Sequence, residues 1–248
     1  AGFDLLVVVD SAEPQLLGKK FPRDLSYAKT LYIDHHSIPY AFADVILHSS
    51  KACAAGELVF HLLHELGVPL DFAMAEALYT SILTDTGSFR YSSTSPDSLA
   101  VASVLVNVGL DVWRIASFVY ENNPVEKLKL LGLVLQTLWI SPDGRLASLH
   151  ATRDMLRKCR CSGAMTDGFI NYARSVSGVE VSIFLTQLES KVFRLSFRSR
   201  GKLDVSVIAA SFGGGGHKNA AACTIEGDIA SIREKVQEII LNHPDLGV

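Results

Sequence analysis

The chain has 248 residues, of which 48% are hydrophobic and 20% charged, with a formal net charge of −3. That length suffices for two domains with separate cores, and the charge balance argues against a broad basic field for long duplexes, leaving short or single-stranded nucleic acid as the class that fits. No apolar run approaches a membrane span. The four cysteines (Cys53, Cys159, Cys161, Cys223) lack paired CxxC spacing, so they read as reduced thiols of a cytoplasmic protein rather than a disulfide scaffold or zinc site.

Leu5–Val9 is a continuous apolar run of the kind expected in a parallel strand covered on both faces, and it stops at Asp10. A second short strand, Leu31–Ile33, stops at Asp34-His35-His36. Two acids ending two apolar strands is the pattern of ligands converging at the carboxyl edge of one sheet, where functional groups of α/β proteins collect. An acid and two imidazoles there supply a carboxylate, a metal-ligating nitrogen and a phosphate contact.

Residues 52–66 predict a helix with Leu58, Leu62 and Leu66 on one face and Gly67 as its stop. His61 and His64 lie on it without a third ligand and read as surface or packed histidines. A second helix opens at Pro69 and Asp71, carries a stripe of Ala73, Ala77, Leu78 and Ile82, and runs into Asp85-Thr86-Gly87-Ser88-Phe89-Arg90. A carboxylate at a helix C-terminus opposes the macrodipole, so a cation, such as a metal, is expected to compensate Asp85. Ser95-Pro96 signals the start of a third helix ending at Gly109. Helices over about 112–121 and 124–139 follow, the second with Leu128, Leu131, Leu135 and Leu138 as its stripe, available either to its own domain or to a second copy in a homodimer.

The rest alternates less regularly. A strand is expected at 146–151, helices at 152–158 and 166–175, and a half-buried strand carrying Val179, Val181, Ile183 and Leu185. In the next strand Phe193, Leu195 and Phe197 face one way and Arg194, Ser196, Arg198 and Arg200 the other, one face for a core and one bearing three guanidiniums. A helical segment from Asp204 to Phe212 leads into Gly213–Gly216 and His217, and Ala220–Ala222 predict a short helix opened by that glycine loop, an anion-binding arrangement. A strand at 223–225 and an amphipathic helix at 229–241 close the chain.

Asp10 after a strand, Asp34-His35-His36 after a strand, the DTGSFRYS segment at Asp85 and the GGGGH loop occur in an order that resembles the DHH phosphoesterase family, and the second half resembles its DHHA1 domain. Ser196-Phe197-Arg198-Ser199-Arg200 before the glycines resembles the nanoRNase and pAp-phosphatase branch. The resemblance implies an α/β fold: a Rossmann-like parallel-sheet DHH domain at 1–120, a helical connector at 121–137 and a smaller mixed α/β DHHA1 domain at 138–248 that binds substrate. It implies a Mn²⁺-dependent hydrolase, with Mg²⁺ as the alternative ion, acting on short single-stranded oligoribonucleotides and 3′-phosphoadenosine 5′-phosphate (pAp). Carried over residue by residue, Asp10, His35 and Asp85 match metal ligands, His36 a phosphate contact and Asp34 the group that orients it. Arg198, Gly215, Gly216 and His217 match the substrate-holding end. The family's first motif, a His and two acids on an earlier strand, has no counterpart in the nine residues before Asp10, so these 248 residues alone are expected to bind metal weakly and turn over little. The competing readings are a phosphodiesterase for linear or cyclic dinucleotides and a catalytically silent nucleotide-binding module; a type II inorganic pyrophosphatase shares the DHH triplet but has no need of the Gly-His loop.

Overall fold

A computed structural model describes residues 2–11, 17–18, 21, 26–36, 43–201 and 203–242. They form two compact units, 1–122 and 123–248.

The first unit opens with three parallel strands in sequential order, β1 (Gly2–Val9), β2 (Ser26–Asp34) and β3 (Val45–His48). β1 differs from its expected double-sided burial. Phe3, Leu5, Val7 and Val9 are about half exposed and Val8 is the residue fully enclosed, because β1 is a sheet edge with one open face. β3 has no counterpart among the expected elements, since four residues are too short a run to show an alternation.

Four helices follow: α1 (Ala55–Glu65), α2 (Phe72–Asp85), α3 (Pro96–Val106) and α4 (Val112–Tyr120). Their starts are chemically marked. Asp71 accepts from the Met74 N–H, Asp111 from Arg114, and Ser95 and Ser98 form a reciprocal capping box, each cap worth about 1 kcal/mol. Phe60, Leu78, Ile82, Val101, Leu105 and Ile115 close the core between these helices. α2 turns differently from the predicted stripe: Ala75, Leu78, Tyr79, Ile82 and Leu83 are buried, whereas Ala73 and Ala77 are exposed. The larger side chains decide which face goes inward, since burying a Leu or Ile gains roughly 1.5–3 kcal/mol and an Ala far less.

The second unit contains α5 (Val125–Leu135), β4 (Trp139–Ile140), β5 (Leu146–Ala151), α6 (Arg153–Cys159), a 3-10 turn at Gly163–Thr166 and α7 (Ile170–Arg174). It continues with β6 (Val181–Glu189), β7 (Val192–Ser199), α8 (Val205–Ser211), β8 (Gly215–His217), β9 (Ala220–Glu226) and α9 (Ile229–Leu241). Its six-stranded sheet has the order β4-β5-β6-β7-β9-β8, with β5–β6 parallel and the other pairs antiparallel.

Both faces of β5 and β6 are covered. Leu146, Val181, Ile183 and Leu185 pack with Ile208 of α8 and Ile232 and Val236 of α9; Ala147, Leu149 and Phe184 pack with Leu130 and Val134 of α5 and Ile170 and Ala173 of α7. β6 is therefore buried on both sides in its first half rather than half-buried. α5 buries Leu130 and Val134, and leaves Leu128, Leu135 and Leu138 of the expected stripe exposed, while Leu131 is partly covered. The helix expected at 166–175 is split, because Gly168 takes a left-handed φ of 85° between the 3-10 turn and α7.

On β7 the alternation holds: Phe193, Leu195 and Phe197 are buried, and Arg194, Ser196 and Arg198 face the other way. Arg200 is a correction. It lies beyond the strand and its guanidinium donates to the carbonyls of Arg174 and Val176, so it does not join the other two. The predicted helix at 220–222 is also overturned. The glycine run forms β8, which pairs back on β9 as a hairpin. A Cβ on Gly214 would stand 2.2 Å from the Ala222 carbonyl oxygen, and one on Gly216 would stand 2.5 Å from that of Ala220. The glycines thus permit close strand contact rather than opening a helix.

Candidate active site

The three parallel strands end at one edge. Asp10 follows β1, Asp34 is the last residue of β2, and His48 ends β3 in register with Asp34. Asp10 holds a left-handed φ of 57°, uncommon outside glycine, with its N–H bonded to the Ile33 carbonyl at 3.0 Å. Strain at such a residue is typical of functional positions.

Asp34 is fully buried. Its Oδ1 accepts from the His36 backbone N–H at 2.8 Å and lies 2.6 Å from His36 Nδ1; its Oδ2 accepts from the Tyr32 hydroxyl. Burial pushes this carboxyl upward, but the Tyr32 hydroxyl, the His36 N–H and the His36 ring outweigh it and hold the group below the ordinary carboxylate range. Burial and the bond to Asp34 push the Tyr32 hydroxyl well above its usual value. A buried carboxylate can only accept, so His36 Nδ1 faces it as an N–H donor. His48 Nε2 lies 2.6 Å from the His36 carbonyl oxygen and fixes the backbone of the triplet from the other side.

His35 Nε2 stands 3.5 Å from Asp10 Oδ1 and 3.7 Å from Asp85 Oδ2, and His36 Nδ1 is 3.7 Å from the same Asp10 oxygen. Asp85 ends α2, as its sequence position predicted, and burial raises its carboxyl, partly offset by His35 and reinforced by Asp10. The loop after it is wound left-handed through Gly87, Ser88 and Phe89, and the Thr86 hydroxyl, fully buried, accepts from the Phe89 N–H.

These residues can hold a divalent cation. Ligand atoms of Asp10, Asp34, His35 and His36 all lie within 4.8 Å of one another. The His35–Asp10 and His35–Asp85 separations exceed hydrogen-bond length and approach the roughly 3 Å between neighbouring ligands of an octahedral ion. The donors are carboxylate oxygens and imidazole nitrogens with no thiolate among them, a set that suits a divalent cation taking oxygen and nitrogen ligands.

The second group of expected residues lies in the second unit. Arg194, Arg198, Gly215 and Gly216 line a pocket of about 690 Å³, where helices α5 and α7 cover β5 and β6 and the arginine-bearing face of β7 stays open. Arg198 Nη1 donates to the Phe197 carbonyl at 3.0 Å. His217 is exposed at the end of β8 and does not line this pocket.

Sequence reasoning missed Tyr32 and His48, which brace the triplet. For Tyr32 a signal exists, since a residue two before Asp34 on a strand shares its face.

A DHHA1 domain model matches residues 157–242. The chain is 33% identical over 239 residues, 95% of its length, to a bifunctional oligoribonuclease and PAP phosphatase NrnA of Thermus thermophilus, of which it spans 69%. It is 28% identical over 232 residues to a cyclic-di-AMP phosphodiesterase PdeA of Listeria monocytogenes, covering 90% of this chain and 33% of that protein. Among solved structures, an exopolyphosphatase-related protein from Bacteroides fragilis superposes with a TM-score of 0.85 at 26% identity, over 95% of this chain and 72% of that one. Among the described residues no helix is long and apolar enough to cross a membrane.

Proposed function

Because the chain belongs to the DHH/DHHA1 phosphoesterase family of the oligoribonuclease and PAP phosphatase type, we propose that it is a metal-dependent hydrolase of short oligoribonucleotides and pAp. The observation that carries this is the convergence of Asp10, His35, His36 and Asp85 beyond the carboxyl ends of parallel strands. We assign the metal chemistry to residues 1–120 and the holding of substrate to 138–248, with 121–137 as connector.

Asp10, His35 and Asp85 are the metal ligands in this reading, and Mn²⁺ is the ion, with Mg²⁺ as the alternative. When bound, the metal supplies activation of water and neutralisation of charge on the phosphoryl oxygens. His36 meets a phosphate oxygen as a ring with both nitrogens donating, Nδ1–H to Asp34 and Nε2–H to the phosphate. Asp34 acts through His36, and Tyr32 through Asp34. In the second unit Arg198 and the backbone of Gly215 and Gly216 take a terminal phosphate, for which a guanidinium offers paired donors. His217 belongs to this end by family resemblance, and its exposed position at the hairpin tip makes its contribution secondary.

A second reading, cleavage of linear or cyclic dinucleotides, is favoured by the similarity to the Listeria phosphodiesterase. Turnover by the full-length gene product on pAp, a diribonucleotide, linear di-AMP and cyclic di-AMP separates the two. The proposal expects the first two to be consumed fastest; cyclic di-AMP consumed fastest would favour the second reading, and nucleotide binding without turnover on any of them would leave only a silent binding module.

A further inference from the structure

The pocket of the second unit carries both signs of charge. β7 contributes Arg194 and Arg198, and the turn between the 3-10 helix and α7 contributes Asp167. That turn is firmly built. The Asp167 N–H bonds to the Ala164 carbonyl at 3.2 Å, Gly168 turns the chain left-handed, and Thr166 and Phe169 on either side are buried. Its backbone is held and its side chain is exposed, with no hydrogen bond or ion pair to a described residue, although two arginines share the pocket with it. A pocket serving only phosphate needs donors alone, and a carboxylate in its wall weakens anion binding by repulsion. An acceptor kept apart from the cations has a use when the ligand brings a neutral donor along with its phosphate.

We propose that Asp167 accepts a hydrogen bond from the ribose 2′-hydroxyl of the nucleotide whose phosphate sits on the arginines, making it the residue that distinguishes ribose from deoxyribose. This rests on the reading of the pocket as the substrate-holding end. An ionised carboxylate is acceptor-only, and acid to ribose hydroxyl is the pairing that dinucleotide sites use beside a phosphate cradle. The sugar hydroxyls lie a few bonds from the phosphate, so a cavity of about 690 Å³ holds both groups of one nucleotide at once.

The test is equilibrium binding, with chelator present to prevent turnover, of 5′-phosphorylated diadenylate and diuridylate in ribo and 2′-deoxy forms. Wild type is expected to prefer each ribo form by about tenfold, the worth of one charge-assisted hydrogen bond. Asp167→Ala is expected to bring both ratios to within about twofold of one while the thermal midpoint stays put, since the side chain is exposed and bonds to no described residue. An unchanged ratio, or equal weakening of ribo and deoxy forms, overturns the proposal. So does a loss confined to adenylate, which would assign the acid to a base amine. Arg198→Ala is the control for the underlying reading and should weaken all four ligands alike. If Arg198→Ala and Asp167→Ala both left binding untouched, the pocket would not be the nucleotide site, and that reading would fail with the proposal.

Discussion

Removing the Tyr32 hydroxyl isolates the buried pair beneath the site. Tyr32 and Asp34 are both fully enclosed, and the phenol is the donor to Asp34 Oδ2. Tyr32→Phe keeps the ring in the core and strips that oxygen of its partner. A hydrogen bond to a charged group contributes about 1.5–3 kcal/mol, so about 2 kcal/mol of stability should be lost at pH 7. With a urea dependence near 2 kcal/mol per molar, the unfolding midpoint falls by about 1 M. The pH limb moves as well. The Asp34 carboxyl is held below its ordinary value in the fold, so its contribution is present above the unfolded value near 3.9 and is lost as pH falls through the folded one. Without the phenol the folded value rises, and acid unfolding should begin at higher pH. Turnover should fall roughly tenfold or more, as when the partner that orients a site histidine is lost. Urea curves, acid titration and initial rates check the three effects. A Tyr32→Phe protein with wild-type midpoint and wild-type rate would refute the claim that Tyr32 holds Asp34, and through it His36.

Asp10→Asn and His35→Ala should each cut metal-dependent turnover by about 100-fold or more with little change in unfolding midpoint, because both side chains face the open end of the strands. Gly216→Ala should destabilise the β8–β9 hairpin and weaken nucleotide binding, since φ is 148° there and the new Cβ would meet the Ala220 oxygen at 2.5 Å; a limited-proteolysis pattern and a binding isotherm report both. His150 gives a second pH effect, in the other unit. Burial, with a further push from Arg233, drives its imidazole down to about 4, and its Nδ1 has no hydrogen-bond partner among the described residues. The unfolded chain takes up this proton near 6.5, so stability is full above that value and declines as pH falls from about 6.5 to about 4, by at most about 1.4 kcal/mol per pH unit. His150→Asn should flatten that slope in urea titrations between those limits.

Much of the site was legible because its residues sit where apolar runs stop. Val9 to Asp10, Ile33 to Asp34 and Leu83 to Asp85 are abrupt changes that mark element ends, and the structure gathers all three acids with His35 and His36. What stayed hidden depends on who packs against whom. The run Leu5–Val9 carries no sign that one face of β1 is open. The α2 stripe turned because its bulkier side chains chose the buried face, whereas α5 buries Leu130 and Val134 and leaves Leu128 and Leu135 exposed, a choice set by its contacts with β5 and α7 and not by side-chain size. The glycines of 213–216 are compatible with a helix-opening loop and with a close-packed hairpin, and only the position of β9 decides between them. Asp167 is a single exposed acid in a short irregular segment, and nothing local connects it to arginines some thirty residues further on.

The central claim is that Asp10 and its neighbours make a metal-dependent phosphoesterase. Phosphate release from pAp by the full-length gene product, with Mn²⁺ and with chelator, in wild type and in Asp10→Asn, tests it most directly. The account predicts release with Mn²⁺, none with chelator, and loss of the Mn²⁺-dependent rate in the variant. Release that survives chelator, or an Asp10→Asn rate equal to wild type, would contradict it.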